Sequence, residues 1–184
     1  IYTIENTTIT ANQSFEDVSL FVDGNWSSNN VYLASNGVTI KACAGAVAGD
    51  VGIVNGVGYY IVNWSTLNTM ISEGGDVTKV CTSLITNMNG MFIGGSPFNQ
   101  DISSWDVSSV NDMSSMFRGN NSFNPPIGNW DVSKVTDMDY MFEFSTFNQD
   151  ISSWSVDGVT HCTRFSDNSP LTEANTPNFT NCTP

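Results

Sequence analysis

Aspartates recur in register along this chain: Asp106 with Asp131, Asp112 with Asp137, and Asp101 with Asp150. Carboxylates on neighbouring strands stand about 5 Å apart, and like charges that close repel unless a cation or backbone donors lie between them. Calcium, which takes about six to eight oxygens, is the ion such a ladder suits, with Asp106, Asp131, Asp112 and Asp137 as its ligands. The competing use is local, because an aspartate that accepts N–H groups of its own turn needs no metal. The register breaks at Pro126, Ser155 and His161, which favours the local use. No other cofactor is implied.

Catalytic chemistry has little to work with. His161 is the single histidine, and it takes the place that Asp112 and Asp137 hold upstream. No nucleophile-elbow or phosphate-loop pattern occurs, so the expectation is a protein that is not an enzyme. Four cysteines allow three pairings. Cys43 and Cys81 precede the regular part of the chain, whereas Cys162 and Cys182 come after it. The local pairing, Cys43 with Cys81 and Cys162 with Cys182, would staple both ends, as suits a secreted protein. Acceptors for N-glycosylation stand at Asn6, Asn12, Asn25, Asn63, Asn120, Asn178 and Asn181, relevant only in a glycosylating eukaryote.

The elements that must position these residues are announced by an internal repeat of 24–25 residues. Phe98, Phe123 and Phe147 align; so do Ile102, Ile127 and Ile151, then Trp105, Trp130 and Trp154, then Val107, Val132 and Val156. Met113, Met116 and Phe117 fall over Met138, Met141 and Phe142. Asp-Ile-Ser-Ser-Trp-Asp-Val reads as a short strand. The Met-x-x-Met-Phe spacing reads as a helical turn, with Ser108 and Ser133 where an N-cap would start it. One unit buries too few apolar side chains to offset its own ordering. The expectation is therefore a β-rich α+β repeat solenoid, with one short strand plus a short helical turn per repeat. The columns of Trp, Val, Met and Phe should form its core.

Ahead of the repeats the sequence is β-rich. Asn36-Gly37 and Asn55-Gly56, each flanked by strand formers, predict two hairpins, and Ser65 to Glu73 predicts a short helix stopped by Gly74-Gly75. The domain reading is 1–75 as a hairpin-rich N-terminal cap, 76–170 as repeats, and 171–184 as a C-terminal cap or tail. Within the repeats, 76–97 is a degenerate unit, followed by 98–122, 123–146 and 147–170. Formal charge is −13, from 18 acids and five bases, a balance that argues against nucleic acid and anionic lipid as partners. No apolar run is long enough to span a bilayer.

The phrase Phe98-Asn-Gln-Asp-Ile-Ser-Ser-Trp-Asp-Val-Ser-Ser-Val-Asn-Asp-Met-Ser-Ser-Met-Phe117 closely resembles the BspA-like leucine-rich-repeat surface proteins, the group also called DUF285. The resemblance implies a leucine-rich-repeat-like solenoid, secreted or displayed at the cell surface, with an adhesive or binding role and no catalytic residues. Its extracellular partner would be a protein, a glycan or further copies of the chain. The copies disagree at Pro125 and Pro126, which replace Gln-Asp, and at Tyr140 and Phe144, which stand where other copies carry small or polar residues. These four are the candidate binding surface. The alternative role is a structural subunit of an extracellular filament or surface layer.

Overall fold

A computed structural model describes residues 30–94 and 97–184. The acceptors Asn6, Asn12 and Asn25 lie outside the described residues.

Both Asn-Gly pairs turn the chain. β1 (Val31–Leu33) and β2 (Ile40–Ala42) pair antiparallel, and Asn36 Oδ1 closes the turn between them by accepting the N–H groups of Val38 and Thr39 at 3.1 and 3.0 Å. β3 (Val51–Val54) and β4 (Val57–Ile61) make the second antiparallel pair. Asn55 and Gly56 there have φ of 53° and 82°, the two-residue turn whose twist suits its strands. Next comes α1 (Trp64–Ser72), capped by Asn63 Oδ1, which accepts the Thr66 N–H at 2.9 Å. It buries Leu67 and Met70 and ends before Gly74, which has φ of 71°. β5 (Val80–Cys81) then pairs in parallel with β4.

These are the regular elements among the described residues: one helix and two small sheets, of two and three strands. The expected leucine-rich-repeat-like solenoid, with a strand and a helical turn in each repeat, is not formed. Beyond Cys81 the described residues contain no helix, and strand pairing is reduced to single bridges joining Asn87, Asp112, Asp137 and His161 in series. The cause is local. Asp106 Oδ1 accepts both the N–H and the hydroxyl of Ser108, at 3.1 and 2.7 Å, and Asp131 does the same for Ser133. The serines expected as helix N-caps therefore close aspartate turns instead, which compete with a helix for the same backbone groups. A left-handed residue inside each Met-x-x-Met turn, such as Ser115 at φ 56°, then prevents a right-handed helix from propagating.

Turns also satisfy the spacing by three. Trp105 N–H donates to Ile102 O, Val110 N–H to Val107 O and Met116 N–H to Met113 O, at 2.9–3.2 Å. Each turn points both apolar ends inward, and Trp105, Trp130 and Trp154 are at most 4% exposed. Their indole N–H groups donate to Val77 O, Ile102 O and Ile127 O, at 3.0–3.2 Å, so burial leaves no indole donor unsatisfied. Phe92, Phe117 and Phe142 stack at 5.4 and 5.5 Å between centroids. The two-stranded sheet is fixed to this core by Ile40 N–H, which donates to Ser104 O at 2.9 Å.

Candidate recognition surface

The turn from Met138 to Phe144 is bonded to its neighbours through alternate residues. Met138, Tyr140, Phe142 and Phe144 donate their N–H groups to the carbonyls of His161, Thr163, Phe165 and Asp167, at 2.8–2.9 Å. For those groups to align, two positions in each such turn adopt positive φ. Gly90, Ser115, Tyr140 and Arg164 occupy the first, at 51–61°. Gly94, Gly119, Phe144 and Asn168 occupy the second, at 56–87°. Glycine and asparagine suit that conformation; a large aromatic residue is strained in it, by about 1–3 kcal/mol. Tyr140 and Phe144 are the two aromatic residues among them, and Phe144 is 53% exposed.

Charge is organised around the same turn. Glu143 is 1% exposed, with Arg118 Nε 2.6 Å from its Oε2 and Arg164 Nη1 3.5 Å from its Oε1. Arg164 Nε also lies 4.0 Å from Asp167 Oδ2. The Arg118 guanidinium carbon sits 5.0 Å from the centre of the Tyr140 ring, within range of a cation–π attraction. Two of the chain's five basic residues thus flank two strained aromatics. The arrangement offers flat apolar faces and guanidinium donors.

The other two members of the candidate surface are Pro125 and Pro126. Pro126 is exposed and lines a groove of about 430 Å³ with Val38, Ser103, Gly128, Asn129, Gln149 and Asp150; Pro125 precedes it, half-buried. Tyr140 and Phe144 are not among the residues that line it. Gly128 is required at the groove, because a Cβ there would stand 2.6 Å from Asp150 O.

Each of the calcium candidates accepts hydrogen bonds within its own turn. Asp106 and Asp131 hold Ser108 and Ser133; Asp112 Oδ1 accepts the N–H and hydroxyl of Ser114, and Asp137 Oδ1 accepts the Asp139 N–H. Asp106 also has Lys41 Nζ 3.5 Å away. Among the described residues no group of three or more His, Cys, Asp or Glu is placed to hold a metal. The Asp131 carboxyl is held below the usual carboxylate range, chiefly by the Ser133 hydroxyl, and Asp150 likewise by Ser152.

Cys162 and Cys182 form a disulfide. The expected Cys43–Cys81 bridge is not formed, both residues being thiols. The Cys81 Sγ instead faces Ile40 O at 3.5 Å and Ser83 Oγ at 3.4 Å, and burial pushes its pKa up. Of the described glycosylation acceptors, Asn63, Asn178 and Asn181 are exposed, with Asn181 Nδ2 donating to Asp157 O. Asn120 is fully buried, its Oδ1 accepting the N–H groups of Ser122 and Phe123 at 3.0 Å.

Sequence reasoning missed the Arg118–Glu143–Arg164 cluster. Its signal is the alignment that puts Arg118 and Glu143 at the same place in successive copies, a juxtaposition of opposite charges in a chain poor in bases. A family model described as "Mycoplasma protein of unknown function, DUF285" matches residues 63–179. No curated protein and no solved structure matches the chain.

Proposed function

This chain belongs to the DUF285 family, and from that premise we propose that it is a non-enzymatic recognition module, secreted or displayed at the cell surface in the manner of the BspA-like surface proteins. Its role is adhesion through an extracellular protein or glycan. The family's description names no function, so the reading rests on the chain's own surface. One observation carries it: Tyr140 and Phe144 keep a conformation that costs stability, and Phe144 holds its ring in solvent while doing so. Strain of this kind is characteristic of binding sites, where it is tolerated for the geometry it supplies. Flat rings beside guanidinium groups suit sugar faces and carboxylate or backbone acceptors. The Cys162–Cys182 bond supports an oxidising location.

The test is binding to arrays of glycans and of extracellular proteins, by the native chain and by Phe144→Gly and Tyr140→Gly. The expected result is a ligand class bound by the native chain and lost from both variants, each of which melts no lower than the parent. Undiminished binding by both variants would overturn the assignment of the surface to this turn.

A further inference from the structure

The backbone bonds that join successive copies obey one rule. Met88, Gly90, Phe92 and Gly94 donate to Asp112, Ser114, Met116 and Arg118, at 2.7–2.9 Å. Met113, Ser115, Phe117 and Gly119 donate to Asp137, Asp139, Met141 and Glu143, at 2.8–2.9 Å. The third junction, from Met138 to Phe144, is equally complete. The corresponding donors of the last copy are the N–H groups of Cys162, Arg164, Ser166 and Asn168. Among the described residues none of these four has an acceptor.

The tail beyond the last copy covers that copy's side chains and leaves its edge open. Phe179 packs edge-on against Phe165, with centroids 4.9 Å apart, and Cys182 is bonded to Cys162. The tail's own backbone bond to the repeats is made elsewhere, from Ile151 N–H to Asn175 O at 3.0 Å. Ser166, on that edge, lines a groove of about 530 Å³ together with Leu171, Pro177 and Phe179. Arg164 and Asn168, on either side of Ser166, are exposed.

We propose that this edge is a second binding site, which takes a polypeptide segment folded in the same succession of turns as residues 112–118. The occupant's alternate carbonyls accept the N–H groups of Arg164, Ser166 and Asn168, continuing the hydrogen bonding of the three junctions before it. One apolar side chain of the occupant enters the groove between Ser166 and Phe179. Main-chain bonds supply affinity in such complexes, and side-chain pockets supply choice. The occupant is a peptide rather than a sugar because at each earlier junction the same donors, one at every second residue, meet the backbone carbonyls of alternate residues in the following turn.

The probe is a synthetic peptide with the sequence of residues 111–119, Asn-Asp-Met-Ser-Ser-Met-Phe-Arg-Gly, which accepts this same set of donors from the copy before it. Amide hydrogen exchange of the intact, disulfide-bonded chain is monitored residue by residue with and without the peptide. Slowed exchange at Arg164, Ser166 and Asn168, with Tyr140 unchanged, is the expected result. Leu171→Glu, which places a charge in the groove without touching the backbone donors, should weaken the peptide roughly tenfold. No slowing at the three amides at millimolar peptide would overturn the proposal. So would slowing that grows with protein concentration when peptide is absent, since the occupant would then be a second copy of the chain.

Discussion

Arg118 Nε lies 2.6 Å from Glu143 Oε2, and the carboxylate it holds is 1% exposed whereas the guanidinium is 41% exposed. The burial is one-sided: the acid has given up its water and depends on its partners, while the base has kept much of its own. Removing a partner from a buried charge costs about 3–5 kcal/mol, more than the pair contributes against an apolar replacement. Arg118→Ala should therefore lower stability by about 2–3 kcal/mol, the remainder being held by Arg164 at 3.5 Å. Arg164→Ala, whose side chain is 60% exposed, should cost less than about 1 kcal/mol. Urea denaturation of the two variants, compared at equal slope, checks the order.

Substitution at the left-handed positions should change stability in opposite directions. Phe144→Gly removes an exposed ring from φ of 56° and should stabilise the chain by about 1 kcal/mol. Gly119→Ala puts a Cβ at φ of 68°, 3.7 Å from Gly94 Cα, and should destabilise by about 1–2 kcal/mol. Calorimetry on both proteins tests this; a lower melting temperature for Phe144→Gly would count against strain at that turn.

Gly128 answers a different constraint, close approach rather than handedness. An alanine Cβ would meet Asp150 O at 2.6 Å, and that oxygen belongs to the backbone. The neighbouring turns must part to admit it. Gly128→Ala should cost about 2 kcal/mol or more, and faster amide exchange should appear around Asp150 before it appears in β3 and β4.

Acid should loosen the aspartate turns at Asp131 and Asp150. Both carboxyls titrate below their ordinary range because a serine hydroxyl and N–H donate to the ionised form. A folded-state pKa below the unfolded value, about 3.9, means that the contribution is fully present above that value and is lost as pH falls through the folded pKa. Ser133→Ala and Ser152→Ala should each make unfolding less steeply dependent on pH below about 4. Denaturation midpoints collected between pH 2 and 6 measure the slope.

The buried columns were legible because burial depends on side-chain type and spacing alone. Trp105, Trp130 and Trp154, and the stacked phenylalanines, sit inside as their periodic recurrence requires. Helix against turn was not legible in Met113 and Met116: a spacing of three brings both residues inward in either conformation, and only the φ of Ser115 separates the two. The same ambiguity made Ser108 read as a helix cap when Asp106, two residues earlier, already held its hydroxyl. Cys162 and Cys182 met as their positions suggested. Cys43 and Cys81 are thiols rather than the bridge their positions suggested. Within the candidate surface, the disagreement between copies pointed to Tyr140 and Phe144, but their shared left-handed conformation could be seen only in the backbone.

Asn120 carries a consequence for the order of events during synthesis. Its amide is enclosed and its Oδ1 holds the next turn together, so a glycosyltransferase could reach it only on a chain that has not yet closed. A sugar attached at that moment would occupy the volume that Phe123 and its neighbours need, and the molecule would stall before completion. In a glycosylating host the acceptors at Asn63, Asn178 and Asn181 can carry sugar on finished protein, whereas occupancy at Asn120 would mark chains that never finished. Secreted protein bearing sugar at the first three and none at Asn120 would be the signature of selection by folding rather than by sequence.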